Sequence, residues 1–180
     1  GYQFENPALQ PEAAVSFELG GELQTRHVEV GAWAYRSSVQ HAIERALRTP
    51  ADCPLGVLSC LTSATRLQLV NLAGTAVVQG LEASTRLRLP AGFSARATVS
   101  YAHGQAPNPN RDAAAPERVP LSRIPPLNGA IEARWKSDYG FYLGAASRWA
   151  LAQDRLAPSD RRDARIPEGG TPGFAVLDLR

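Results

Sequence analysis

The chain has 180 residues, a formal net charge of +2 and two cysteines, enough residues for one domain with its own core. The near-balanced charge argues against a nucleic-acid partner. No apolar run reaches the roughly 18 residues that a transmembrane helix needs, so any crossing of a membrane falls to strands.

In chain order, Asn6-Pro7-Ala8-Leu9-Gln10-Pro11-Glu12 is a proline-punctuated approach without periodicity. Alternation then starts. Val15, Phe17, Leu19, Gly21 and Leu23 oppose Ser16, Glu18, Gly20 and Glu22, the period of a strand and not of a helix. A short turn near Gln24-Thr25-Arg26 leads into a second strand. There Val28, Val30, Ala32 and Ala34 oppose Glu29, Gly31, Trp33, Tyr35 and Ser37. Both of its faces carry apolar groups, so either one, or a bulge that swaps them, fits the pattern.

Residues 40–70 form a first long connection. His41 to Arg48 reads as one or two helical turns ended by Pro50, and Leu67, Leu69 and Leu72 as the lead into the next strand, which starts between Arg66 and Thr75. Cys53 and Cys60 lie in one proline-containing stretch. That spacing suits a local disulfide in an oxidising compartment, the alternative being two free thiols.

Thr75 to Tyr101 is the most regular part. Leu81, Ala83, Thr85, Leu87 and Leu89 oppose Gly80, Glu82, Ser84, Arg86 and Arg88. After the turn Pro90-Ala91-Gly92, Phe93, Ala95, Ala97, Val99 and Tyr101 oppose Ser94, Arg96, Thr98 and Ser100. The two runs predict a long β-hairpin. Phe93 to Tyr101 extends roughly 26 Å at about 3.3 Å per residue. Tilted by roughly 40°, that run rises about 20 Å, close to the ~25 Å apolar band of a transmembrane barrel.

The connection from His103 to Pro126 holds six prolines together with Asn108, Asn110 and Asp112, which excludes a central strand. Leu127, Gly129, Ile131, Ala133 and Trp135 then oppose Asn128, Glu132 and Arg134. Past Lys136-Ser137-Asp138, Tyr139, Phe141, Leu143, Ala145, Ser147 and Trp149 oppose Gly140, Tyr142, Gly144 and Arg148. A third long connection, Gln153 to Pro172, precedes a last run with Ala175, Leu177 and Leu179 on one side and Asp178 on the other.

Connections therefore alternate short and long, which places every long loop at one end. Soluble meanders have no reason for this; outer-membrane barrels have short periplasmic turns and long extracellular loops. Aromatics also sit at strand ends: Phe93, Trp135 and Tyr139 by the short turns, Tyr101 and Trp149 by the long ones. The expectation is an all-β, antiparallel up-and-down meander of about seven strands, a segment of a large transmembrane β-barrel. The alternative is a soluble antiparallel sheet acting as an interaction module. In that case Val15, Phe17, Leu87, Val99, Ile131 and Leu143 form a dry core against a second sheet.

Four stretches, in order along the chain, resemble TonB-dependent outer-membrane receptors. NPALQPEAAVSFELG resembles their N-P-x-L-x-P-E approach to a late barrel strand. NLAGTAVVQGLEAS matches a strand motif through Asn71, Gly74, Ala76, Gly80 and Glu82. PLSRIPPLNG and PEGGTPGFAVLDLR resemble later strand starts. The resemblance implies a barrel of about 22 strands with a plug domain. It also implies TonB-energised uptake of a scarce nutrient, such as a ferric siderophore or cobalamin, across the outer membrane of a Gram-negative bacterium. Implied partners are outer-membrane lipid, the plug and remaining barrel strands, TonB and a small ligand such as a metal chelate. The chain starts at Gly1-Tyr2-Gln3 without Met or leader and stops within an alternating run. It therefore reads as an internal stretch of a longer protein, a partial barrel without plug.

No catalytic pattern stands out, and no cofactor or metal is called for. His27, His41 and His103 are scattered, and a strand puts Ser100 and His103 on opposite faces, against an outer-membrane enzyme that uses both. The candidate functional surface is the charged face. Glu18, Glu82, Arg86, Arg88, Arg96, Glu132, Arg134 and Arg148 line the lumen if the apolar face meets lipid. There they are placed to contact the plug or a passing anionic ligand, or to pair across strands.

Overall fold

The computed structural model describes residues 1–110 and 116–180; Asp112 lies outside the described residues. In chain order the elements are β1 (Tyr2–Phe4), β2 (Ala13–Gln24), β3 (Val28–Gln40), β4 (Ile43–Leu47), α1 (Leu58–Thr62) and β5 (Arg66–Asn71). They continue with β6 (Thr75–Arg88), β7 (Phe93–Pro107), β8 (Arg118–Pro120), β9 (Asn128–Lys136), β10 (Tyr142–Ala150) and β11 (Phe174–Leu179).

The main sheet runs β2-β3-β6-β7-β9-β10-β11, every neighbour antiparallel, with β8 pairing onto β7. This is the up-and-down meander that the alternation predicts. The tight turns at 25–27, 89–92 and 137–141 share one end of it, and the long connections share the other. The 89–92 turn depends on local chemistry: Ala91 and Gly92 both take positive φ (57° and 80°), and a side chain on Gly92 would meet the Lys136 carbonyl. Residues 28–40 pair one-for-one with β2 and β6, without a bulge. That register settles the faces of β3. Val28, Val30, Ala32 and Ala34 join Leu81, Ala83, Thr85 and Leu87, while Trp33 and Tyr35 join the charged face.

The apolar face is uncovered. Phe17 is 73% exposed, Leu19 81%, Ile131 55%, Leu143 63% and Leu179 75%, and among the described residues no second sheet packs on them. The rival reading needs Phe17, Ile131 and Leu143 to be dry core, and they are not. The buried cluster lies instead at the long-loop end, where Ala42, Leu72, Ala76 and Ala106 pack with Val39 and Leu121. A broad uncovered apolar sheet face is stable only against another apolar phase. The band also steps from strand to strand: its apolar run ends at Tyr101 on β7 but reaches Val15 on β2, two rows further by register. Tilted barrel strands produce such a stagger.

The first long connection corrects the sequence reading twice. His41 to Arg48 is not helical; β4 occupies Ile43–Leu47 and pairs antiparallel with β5. A helix of two turns without a cap is marginal by itself, whereas β4 gains a full ladder from Leu67 to Asn71. Leu67 and Leu69 do not run into the barrel strand. They belong to β5, the middle strand of a separate sheet β1-β5-β4, and Leu72 lies in the break at 72–74 that closes with positive-φ Gly74. β1, which has no alternation of its own to announce it, pairs parallel to β5.

Side-chain amides tie this small sheet to the approach at residues 5–12. Asn6 Nδ2 donates to the Leu69 carbonyl (2.8 Å). Asn71 accepts from Gln10 N (2.8 Å) and donates to the carbonyls of Gln10 and His41 (2.9 and 2.6 Å). The Glu12 carboxylate accepts from Ile43 N (2.7 Å). A disulfide joins Cys53 to Cys60, which lies within α1 and is fully buried.

Candidate functional site

Strand register places all eight predicted residues, Glu18, Glu82, Arg86, Arg88, Arg96, Glu132, Arg134 and Arg148, on the polar face of the main sheet. They are not one cluster. Glu18 lies opposite Tyr35, and Glu82 opposite Trp33 and Ser100, both toward the long-loop end. Arg148 sits near the β11 edge, 4.0 Å from Asp178. Only Arg86, Arg88, Arg96, Glu132 and Arg134 are neighbours, close to the short turns.

This basic cluster has a definite geometry. One transverse row carries Glu29, Arg86, Arg96 and Glu132 on four successive strands; the next row toward the short turns carries Arg88, Ser94 and Arg134. Glu29 bridges two guanidiniums, Arg88 at 2.5 Å and Arg86 at 3.2 Å. Glu132 is taken by Arg134, whose Nε donates to it at 2.6 Å. Arg96, directly opposite both Arg86 and Glu132, has no ion pair among the described residues. Two like charges face to face destabilise a ladder unless an anion lies between them. Hollows of about 240 Å³ and about 100 Å³ open at Arg96, the first lined by Glu22, Glu29, Trp33 and Arg86, the second by Arg86, Ser94, Glu132 and Arg134. A guanidinium with open donors suits carboxylate or phosphate groups bidentately.

Aromatic rings lie flat on the same face. A Cβ on Gly20 or Gly31 would overlap the Trp33 indole, and one on Gly80 would come within 2.5 Å of the Tyr35 ring. The glycines thus form shallow seats that hold both rings against the sheet.

Sequence reasoning missed Glu29, Trp33 and Tyr35 because β3 carries apolar residues on both faces. The signal was in the pairing: once Val28 faces Leu87, Glu29 must face Arg86. Ser100 is on the polar face and His103 on the outward one, opposite Glu82 and Gln79 respectively, so no Ser–His pair forms. Among the described residues no three His, Cys, Asp or Glu side chains gather as metal ligands.

The chain matches the family model "TonB dependent receptor-like, beta-barrel" over residues 1–180. No curated protein matches it. Among solved structures it resembles the copper transporter OprC, at 19% identity and a TM-score of 0.70 over 96% of this chain and 23% of that one. It resembles the FrpB iron transporter from Neisseria meningitidis (F3-3 variant), at 15% identity and a TM-score of 0.65 over 99% of this chain and 25% of that one. A variant of the ferric enterobactin receptor PfeA from Pseudomonas aeruginosa, in complex with enterobactin, matches at 20% identity with a TM-score of 0.66, over 98% and 24% of the two chains. At such identities the likeness is one of fold, and the chain spans about a quarter of the length of each structure (23%, 25% and 24%). TonB-dependent receptors are transporters and not enzymes. With the family matched over its whole length and an antiparallel sheet of barrel pattern, the chain belongs to the TonB-dependent receptors, as a stretch of their β-barrel.

Proposed function

We propose that this chain is part of the wall of an outer-membrane transporter that takes up a scarce nutrient, such as a ferric siderophore or cobalamin, in a Gram-negative bacterium. One observation carries the reading: the same seven strands present an uncovered apolar face on one side and a charged, aromatic-studded face on the other. Such a sheet separates lipid from a polar passage. The names of the similar structures, a copper transporter, an iron transporter and a ferric enterobactin receptor, support a metal ion or metal chelate as cargo.

In this reading Glu18, Glu82, Arg86, Arg88, Arg96, Glu132, Arg134 and Arg148 face the lumen. Arg86 and Arg96 meet an anionic group of the cargo or of a plug domain in the same protein, and the energy comes from TonB acting on that plug. The domain is a partial barrel, completed by the other strands of the parent protein.

Trp33 supplies the test, because it lies on the polar face one row above Gly31 and Ser84. A variant with Trp135 and Trp149 replaced by Phe, folded in detergent, is titrated with ferric chelates, copper(II) chelates and cobalamin. A saturable change in Trp33 emission for one class, lost in Arg96→Gln, supports the reading. A folded chain that responds to none of them counts against the polar face as the cargo surface.

A further inference from the structure

Register puts an aromatic ring at each end of one transverse row of the polar face. Trp33, Glu82, Ser100, Asn128, Ala150 and Phe174 are direct cross-strand neighbours on β3, β6, β7, β9, β10 and β11. The row lines an open hollow of about 700 Å³, to which the next row toward the short turns adds Ser84 and Arg148. Strand spacing makes the row about 24 Å long across the sheet. Gly20 and Gly31 support one face of the Trp33 indole, and among the described residues no ring or cation stacks on its other face. Glu82, beside Trp33, is exposed and has no ion pair among the described residues. Asn128 Nδ2 donates to the Pro126 carbonyl at 2.9 Å, which fixes the amide and leaves its oxygen to accept.

From this arrangement we infer that the row is a binding site for neutral sugar rings, with Trp33 as the stacking platform and Glu82 as the hydroxyl acceptor. The sugar belongs either to a free oligosaccharide or to a glycosylated metal chelate. The inference rests on the polar face as the cargo surface and adds a chemistry for that cargo. The C–H groups on one face of a pyranose are electron-poor and lie well against the negative face of an indole. A carboxylate accepts from two neighbouring hydroxyls at once, and the hydroxyls and amide of Ser84, Ser100 and Asn128 meet the others. Charge separates this hollow from the basic cluster nearer the short turns. Its charged side chains are Glu82 and Arg148, at opposite ends, and Arg148 already leans on Asp178 at 4.0 Å. A polyanion therefore gains nothing beside Trp33, where the nearest charge is Glu82. A neutral polyhydroxylated ring loses little there, because exposed carboxylates and hydroxyls can trade water for its hydroxyls. The glycine seats hold the indole flat before any ligand arrives, which lowers the ordering cost of stacking.

The experiment folds the chain in a detergent without a sugar headgroup and measures binding by isothermal titration calorimetry. The probes are neutral trisaccharides of glucose, galactose, mannose and N-acetylglucosamine, a ferric catecholate that carries glucose, and the same ferric catecholate without it. At least one sugar-bearing probe is expected to bind saturably. Its affinity should fall about tenfold in Trp33→Ala, fall in Glu82→Ala, and stay near the original value in Trp33→Phe, which keeps a flat ring. Binding of a free trisaccharide assigns the site to oligosaccharide, whereas binding of the glucosylated chelate alone assigns it to a sugar carried on a chelate. Sugar binding that survives Trp33→Ala overturns the inference. So does equal binding of the two chelates when no trisaccharide binds, a result that leaves the proposed function standing. A folded chain that binds none of the probes defeats the polar face as the cargo surface and the inference with it, so the two failures are distinct.

Discussion

Glu29 stands directly opposite Arg86 in the β3–β6 ladder, yet its shorter contact is the diagonal one to Arg88, at 2.5 Å against 3.2 Å. One carboxylate therefore balances two guanidiniums, and Arg86 is left half-shared beside Arg96.

Glu29→Gln removes the only carboxylate paired to Arg86 and Arg88 among the described ion pairs. The arginines are partly exposed, so the expected loss is modest. Urea unfolding in detergent micelles measures it. A double-mutant cycle of Glu29→Gln with Arg88→Gln should give a favourable coupling that shrinks as salt is added.

Gly20 and Gly31 are predicted to matter through Trp33. Gly20→Ala drives a methyl group into the indole, an overpacking change that costs about 1–3 kcal/mol. The variant should unfold at lower denaturant and show altered Trp33 emission. Combining it with Trp33→Ala should restore most of the loss, since the clash then has no partner.

Glu44, in β4 of the long-loop sheet, has its carboxyl pushed above the ordinary range by burial, with Asp160 and Glu12 adding repulsion. An acid whose folded pKa is raised makes the fold lose stability as pH climbs from the ordinary value of 4.5 through the raised one. Glu44→Gln should therefore raise the thermal midpoint at pH 8, with the difference shrinking near pH 4. Asp163 has the opposite sign. Hydrogen bonds from Arg165 hold its carboxyl well below the usual range, so its contribution is present above 3.8 and lost only as pH falls further. Asp163→Asn should be neutral in acid and destabilising at pH 7.

The Cys53–Cys60 bond closes a loop with a sequence separation of 7 in the first long connection, away from the main sheet. Reduction should leave the far-UV circular dichroism of the sheet unchanged while protease nicking between residues 50 and 65 increases. Loss of the whole β signal on reduction would place the bond in the folding core instead.

The meander was readable because the two faces of each strand differ in polarity, so alternation survives in the sequence. Leu81 to Leu89 and Phe93 to Tyr101 show this cleanly. β3 did not, since Trp33 and Tyr35 are apolar in type but seated on glycines of the polar face, a fact visible only in cross-strand pairing. The long-loop sheet was not readable either. β1 has three residues and β4 five, too few for a period to appear, and both exist through the β5 ladder and the amides of Asn6 and Asn71. The charged site was legible as a face and not as a cluster: alternation places eight residues on one side, but register decides that Arg96 meets Arg86.

The central claim is that the uncovered apolar face meets lipid while Trp33 does not. The most direct measurement purifies the chain with and without mild detergent and records far-UV circular dichroism, sedimentation and the emission of three single-tryptophan variants. The account predicts β structure and a defined particle only with detergent or lipid. It also predicts that acyl-chain quenchers dim Trp135 and Trp149 and leave Trp33 bright. A monodisperse, cooperatively unfolding β protein in plain buffer, or equal quenching of all three tryptophans in bilayers, would contradict it.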